Sequence, residues 1–108
     1  MINPETVFDT IAEHLSALPN VKRGKMFGVP TLWVNGNAFA SYFHGSMVFK
    51  LTGEDHKKAM ALEDAKLFAP GNSGVAMKQW VQLLPVHRDQ WADWADAALN
   101  YVSTLPPK

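Results

Sequence analysis

The chain has 108 residues, ten basic and ten acidic side chains and no cysteine. That length makes one domain over residues 1–108, able to bury roughly two-thirds of its chain surface, and the missing cysteine excludes disulfides and thiolate-held metals. Balanced charge argues against direct nucleic-acid binding, which normally shows a basic excess; no apolar run is long enough to span a bilayer, and the start Met-Ile-Asn-Pro-Glu has no signal-peptide pattern, so a cytoplasmic location is expected.

Asn3-Pro4-Glu5 opens a helix, with Asn as N-cap, Pro at the first helical position and an acid in the first turn. Val7, Phe8, Ile11, Leu15 and Leu18 follow a period close to 3.6, and Pro19 ends the run. Its buried stripe is expected to be Phe8, Ile11, Leu15 and Leu18, with His14 on the surface. Val21 to Phe27 reads as the first strand. Lys22, Arg23 and Lys25 make it locally basic, which suits either a phosphate or nucleic-acid contact or a charged edge strand that resists edge-to-edge aggregation. In a neutral chain the edge strand is the better reading. Gly28 suggests a bulge or bend and Pro30 a strand start or edge.

The centre of the chain, Gly24 to Leu51, reads as a β-meander. Asn35-Gly36 is the dipeptide that a two-residue type I′ hairpin turn demands, and His44-Gly45 is a second tight turn. Two-residue loops pair Trp33 with Ala38, Leu32 with Phe39, Tyr42 with Met47, Ala40 with Phe49 and Ala38 with Leu51. One face then carries Thr31, Trp33, Ala38, Ala40, Tyr42, Met47, Phe49 and Leu51, and is expected to be the core. The other carries Leu32, Val34, Asn37, Phe39, Ser41, Phe43, Ser46, Val48 and Lys50. That second face is too apolar for open water. It is expected to meet a helix of the same chain or another subunit.

Thr52-Gly53-Glu54-Asp55 resembles a capping box and opens a second helix to about Glu63, weakly buried through Ala59, Met60 and Leu62. His56, Lys57 and Lys58 are placed on its exposed side, and no further ligands accompany His56 to make a metal site. Pro70 to Gly74 is a turn-rich connecting loop; it lacks the P-loop pattern. Val75 to Leu84 is the last strand, with Val75, Met77, Val81 and Leu83 inward and Lys78, Trp80 and Gln82 outward. After Pro85 a final helix runs from Arg88 or Asp89 to about Ser103. Its stripe is Trp91, Trp94, Ala95, Ala98, Leu99 and Val102. Leu105 to Lys108 reads as a frayed tail. The fold class is α+β: one mostly antiparallel β-meander sheet with helices on one face, in the order α-β-β-β-β-α-β-α.

Several of these stretches together resemble the N-terminal domain of the TfoX/Sxy family. They are Lys25-Met26-Phe27-Gly28, the Asn35-Gly36 hairpin, Ala38-Phe39-Ala40, Met47 through Leu51, and Ala76-Met77-Lys78 before a proline and a last helix. The resemblance covers nearly the whole chain. It implies a small regulatory domain: longer members carry a second, helical domain and act on competence genes alongside the cAMP receptor protein. This sequence has Val29-Pro30 where the family pattern usually continues with a second glycine. The family has no established active site, so the resemblance carries over no catalytic residue, cofactor or metal ligand.

Three functional readings follow. The first is a regulatory or protein-interaction module, a homodimer or a binder of another protein, using Leu32, Phe39, Phe43, Val48 or Trp80. The second is an enzyme or small-molecule binder with a pocket between the last helix and the meander, lined by Trp33, Tyr42 and Trp94; Ser41, Ser46, His44 and Asp55 are available, but no spacing brings them together. The third, weakest for a neutral chain, is nucleic-acid contact through Lys22, Arg23 and Lys25, with Lys50 and Lys78 as further cations.

Overall fold

Residues 3–26, 28–68 and 77–107 are described by the computed structural model, Met77 by its backbone alone. The expectations for Phe27, for the 70–74 turn, for Val75 and Ala76 and for the side chain of Met77 lie outside the described residues. Helix α1 spans Pro4–Ser16, and the side chain of Asn3 caps it by accepting the Glu5 N–H at 2.8 Å. Strands β1 (Val21–Met26), β2 (Val29–Val34), β3 (Asn37–Phe43) and β4 (Ser46–Lys50) follow, then helix α2 (Gly53–Met60). A short strand β5 (Lys66–Phe68) precedes β6 (Met77–Leu83), a 3-10 turn (Pro85–Gln90) and helix α3 (Trp91–Val102). The six strands form one antiparallel sheet in the order β1-β2-β3-β4-β6-β5.

Both hairpin turns have the conformation the dipeptides call for. Asn35 and Gly36 sit at φ 52° and 83°, His44 and Gly45 at 47° and 84°, the paired positive φ of type I′. Trp33 pairs with Ala38, Ala40 with Phe49 and Tyr42 with Met47, as the turns dictate. Leu32, however, pairs with Ala40 and not with Phe39, because the register shifts between Leu32 and Trp33. Phe39 is the extra residue of a β-bulge.

That bulge changes the face assignment. On β3 and β4 the expected core residues Ala40, Tyr42, Met47, Phe49 and Leu51 do pack under the helices. On β2 the alternation is inverted: Leu32 and Val34 join the helix-packed core, while Trp33 lies in a second cluster with Ala38 and Val48. Phe39 also enters the helix-packed core and is fully buried. One inserted residue reverses the phase of everything beyond it.

All three helices contribute to the core on one face, through Phe8, Ile11, Ala12 and Leu15 of α1, Ala59 of α2, and Trp91, Ala95, Ala98 and Val102 of α3. Ala40 is fully buried in this core, and α3 packs on β3 and β4. Leu18 falls outside the stripe expected for it, being 45% exposed, since α1 has already ended at Ser16. Thr52 makes no side-chain cap bond, so the capping box does not form. The tail is not frayed at its start. Leu105 packs against the core, and Asn37 Nδ2 donates to the Pro106 carbonyl at 3.0 Å.

Candidate functional site

No helix lies over the other face of the sheet among the described residues. It carries the second cluster: Ala38, Val48, Phe68 and Trp80 buried, with Met26, Trp33 and Phe43 half-buried around them. Phe43 stands edge-on to Phe68, ring centres 4.9 Å apart, and edge-on to His44 at 4.2 Å. Next to the cluster the Thr31 and Ser41 hydroxyls meet at 2.9 Å, both fully buried. Thr31 Oγ1 gives its one proton to the Val29 carbonyl at 3.0 Å, so Ser41 is the donor between the two hydroxyls.

The expected interface residues divide unevenly on this map. Leu32 and Phe39 are inside the helix-packed core and wholly inaccessible. Exposing either to a partner would forfeit about 1.5–3 kcal/mol of burial, so neither belongs to a surface. Val48 is also fully buried and Trp80 is 5% exposed. Of the five, only Phe43 reaches solvent appreciably, and Trp33, absent from that set, joins it there.

A cleft of about 560 Å³ opens beside Lys22 and Trp33, bounded by Pro19, Asn20, Asn35 and Gly36. The backbone N–H of Asn35 donates to the Asn20 carbonyl at 3.1 Å and fixes its floor. Lys22 and Trp33 are cross-strand partners and so project to the same side. The indole of Trp33 extends over Gly24, where a Cβ would come within 3.2 Å of Nε1. Lys22 and Gly24 thus share the helix-free face, while Arg23 and Lys25 point to the other.

The three basic residues are therefore not one patch. Arg23 pairs with Asp9 and lies 5.4 Å over the ring of Phe8; both charges are about half exposed, so the pair is worth at most about 1 kcal/mol. Lys22 and Lys25 are exposed and have no ion pair among the described residues. Close to Arg23, Tyr42 packs on Phe8 at 5.5 Å. Burial, with the carboxylates of Glu5 and Asp9 adding to it, holds the Tyr42 phenol above its ordinary pKa.

The candidates for chemistry stay apart. Trp33 faces away from α3, so Trp33, Tyr42 and Trp94 do not line one pocket; Trp94 donates from Nε1 to Gln90 Oε1 at 3.4 Å. A groove of about 210 Å³ between α1 and α3 is lined instead by Thr10, Ile11, His14, Leu15, Ala92 and Asp96. Ser41 is committed to Thr31, and Asp55 is exposed on α2. His56 is not a free surface residue: its Nε2 donates to the Lys78 carbonyl at 2.8 Å, tying α2 to β6. His87 does the same to the Glu63 carbonyl at 2.9 Å. Among the described residues no three His, Asp or Glu side chains converge as a metal-ligand set, and no helix is long and apolar enough to cross a membrane.

Sequence periodicity missed two elements of this site. The bulge at Phe39 has no residue signature, whereas Gly24 between Arg23 and Lys25 was a readable sign of close approach in a strand. The family model described as the TfoX N-terminal domain matches residues 13–101. No curated protein and no solved structure matches the chain. The match runs from within α1 through nearly all of α3 and so takes in every strand, the helix-free face and the cleft: the chain belongs to the TfoX N-terminal domain family.

Proposed function

We propose that the chain is a regulatory protein-interaction module that docks its partner on the helix-free face of the sheet, around Trp33 and Phe43. One observation carries this reading: the second cluster ends at the surface in half-buried Met26, Trp33 and Phe43 on a face to which none of the three helices contributes. Aromatic side chains with one edge wet are the groups that dominate interface energetics. The family match supports a module of this type.

A second copy of the chain is the first occupant to test. Light scattering on a sizing column at two concentrations should show a mass rising from 12.0 kDa toward twice that value. Trp33→Ser and Phe43→Ser should hold the chain at the monomer mass. A wild-type chain that stays monomeric at both concentrations rules out self-association by this face, and an undiminished dimer in both variants moves the interface elsewhere.

A further inference from the structure

Among the described residues no strand pairs beyond β1 or β5, and these two end strands are unequal. Strand β5 is three residues long, while β1 is six and lies at the end of the sheet. The Val21 N–H donates to the Leu18 carbonyl at 3.2 Å, but the rest of the outer row of β1 backbone N–H and C=O groups has no strand partner among the described residues, and such a strand is a template for a further one. Its side chains decide what can pair there. Lys22, Arg23 and Lys25 would meet the same cations in a second β1, so a copy of the chain is disfavoured at this edge. Like charges set opposite each other destabilise a strand pair, and opposite charges stabilise it.

We infer that the β1 edge adds an extended, acidic peptide segment of another protein as a seventh strand. This goes beyond the docking of a partner on the sheet face: it shares Trp33 with that reading but stands on Lys22, Gly24 and Lys25 of the β1 edge. Lys22 and Lys25 have no ion pair among the described residues and project to opposite faces. Two carboxylates three residues apart on an extended segment also project to opposite faces, so one segment can meet both. Arg23 is already held and neutralised by Asp9, which leaves Lys22 and Lys25 as the cations for the incoming segment. On the helix-free side Gly24 has no side chain, and the Trp33 indole fills the space above it. Its N–H has no partner among the described residues. The indole thus reaches across β1 toward the open edge, where it offers a donor and an apolar plane to the residue seated opposite Gly24. The cleft of about 560 Å³ beside Lys22 and Trp33 then receives the end of the segment.

The test is an amide NMR titration of the whole chain with a short synthetic peptide of valine and threonine carrying two glutamates three residues apart. Shifts should concentrate at residues 21–26 and at the Trp33 indole N–H, and added salt should weaken the binding. The double variant Lys22→Glu with Lys25→Glu should lose about tenfold in affinity. Phe43→Ser, which disables the face interface, should leave this titration unchanged. A peptide N-methylated at alternate residues should not bind, which keeps the test independent of any variant's folding. The inference is overturned by equal binding of the N-methylated peptide, by equal binding of a peptide with lysines in place of the glutamates, by shifts centred on Phe43 and Val48, or by no shift at about 1 mM peptide.

Discussion

Trp33 lies across Gly24 so closely that a methyl group at position 24 would stand 3.2 Å from Nε1. Replacing a strand glycine by alanine ordinarily gains about 0.5–1 kcal/mol from the unfolded chain. Here the indole must give way, and overpacking costs about 1–3 kcal/mol. Gly24→Ala is therefore expected to destabilise by about 1 kcal/mol in urea unfolding and to shift the Trp33 emission. In a Trp33→Ala background the same change should become neutral or stabilising. A cycle with no coupling between the two sites would disprove the contact.

Trp91 is fully buried, yet its Nε1 has no hydrogen-bond partner among the described residues. An unpaired buried donor costs about 1–3 kcal/mol. Phenylalanine removes the donor while keeping much of the ring. Trp91→Phe should then lie within about 1 kcal/mol of wild type, because relief of the orphan N–H offsets the lost volume. Trp91→Ala should lose about 3–5 kcal/mol. Denaturant midpoints at constant slope distinguish the two.

Tyr42 gives the stability curve an alkaline limb. Its native pKa is raised above the ordinary 10.0, first by burial and then by Glu5 and Asp9. Above that ordinary value the unfolded chain releases the phenolic proton while the native state still holds it. Stability is thus intact below the unfolded value and falls as pH climbs toward the raised native value. Tyr42→Phe should flatten this fall in urea midpoints taken at roughly pH 9 and 11. Identical slopes in the two proteins would remove the effect.

His56 and His87 each face a carbonyl oxygen through Nε2. A carbonyl only accepts, so Nε2 must carry the proton and the neutral rings are Nε2–H tautomers. Nitrogen-15 ring spectra near neutral pH should show that pattern for both. His56→Ala should cost about 1 kcal/mol and raise hydrogen exchange in α2 before the rest of the domain. A dominant Nδ1–H form of His56 would contradict the bond to Lys78.

Much of the fold was legible because its signals are local. Asn3-Pro4-Glu5 marks the start of α1, Asn35-Gly36 and His44-Gly45 set both hairpin turns, and the alanine-rich stripe of α3 marks its buried side. What was not legible depends on tertiary context. The bulge at Phe39 follows from no dipeptide, and it moved Leu32, Val34 and Phe39 into the helix-packed core. Strand β5 is too short for period-2 alternation to mark it, and it exists because β6 offers Val81 and Gln82 as partners. The site was legible in its residue types and illegible in its geometry. Lys22, Arg23 and Lys25 read as one basic run, but alternate pointing along β1 divides them between two faces, and Asp9 claims the middle one.

The sheet order also constrains how the chain assembles. Strands β1 to β4 pair with their neighbours in sequence, through short loops that close cheaply. Strand β6 must instead enter between β4 and β5, so β5 has nothing to pair with until a later segment arrives. The same C-terminal stretch brings α3, whose Trp91, Ala95, Ala98 and Val102 complete the core. A nascent chain that has emerged only as far as residue 68 would hold a meander with β4 unpaired along one side and its apolar face covered by α1 and α2 without α3. Folding therefore waits for the last third of the chain, and the interval before it arrives is when this protein is most open to aggregation.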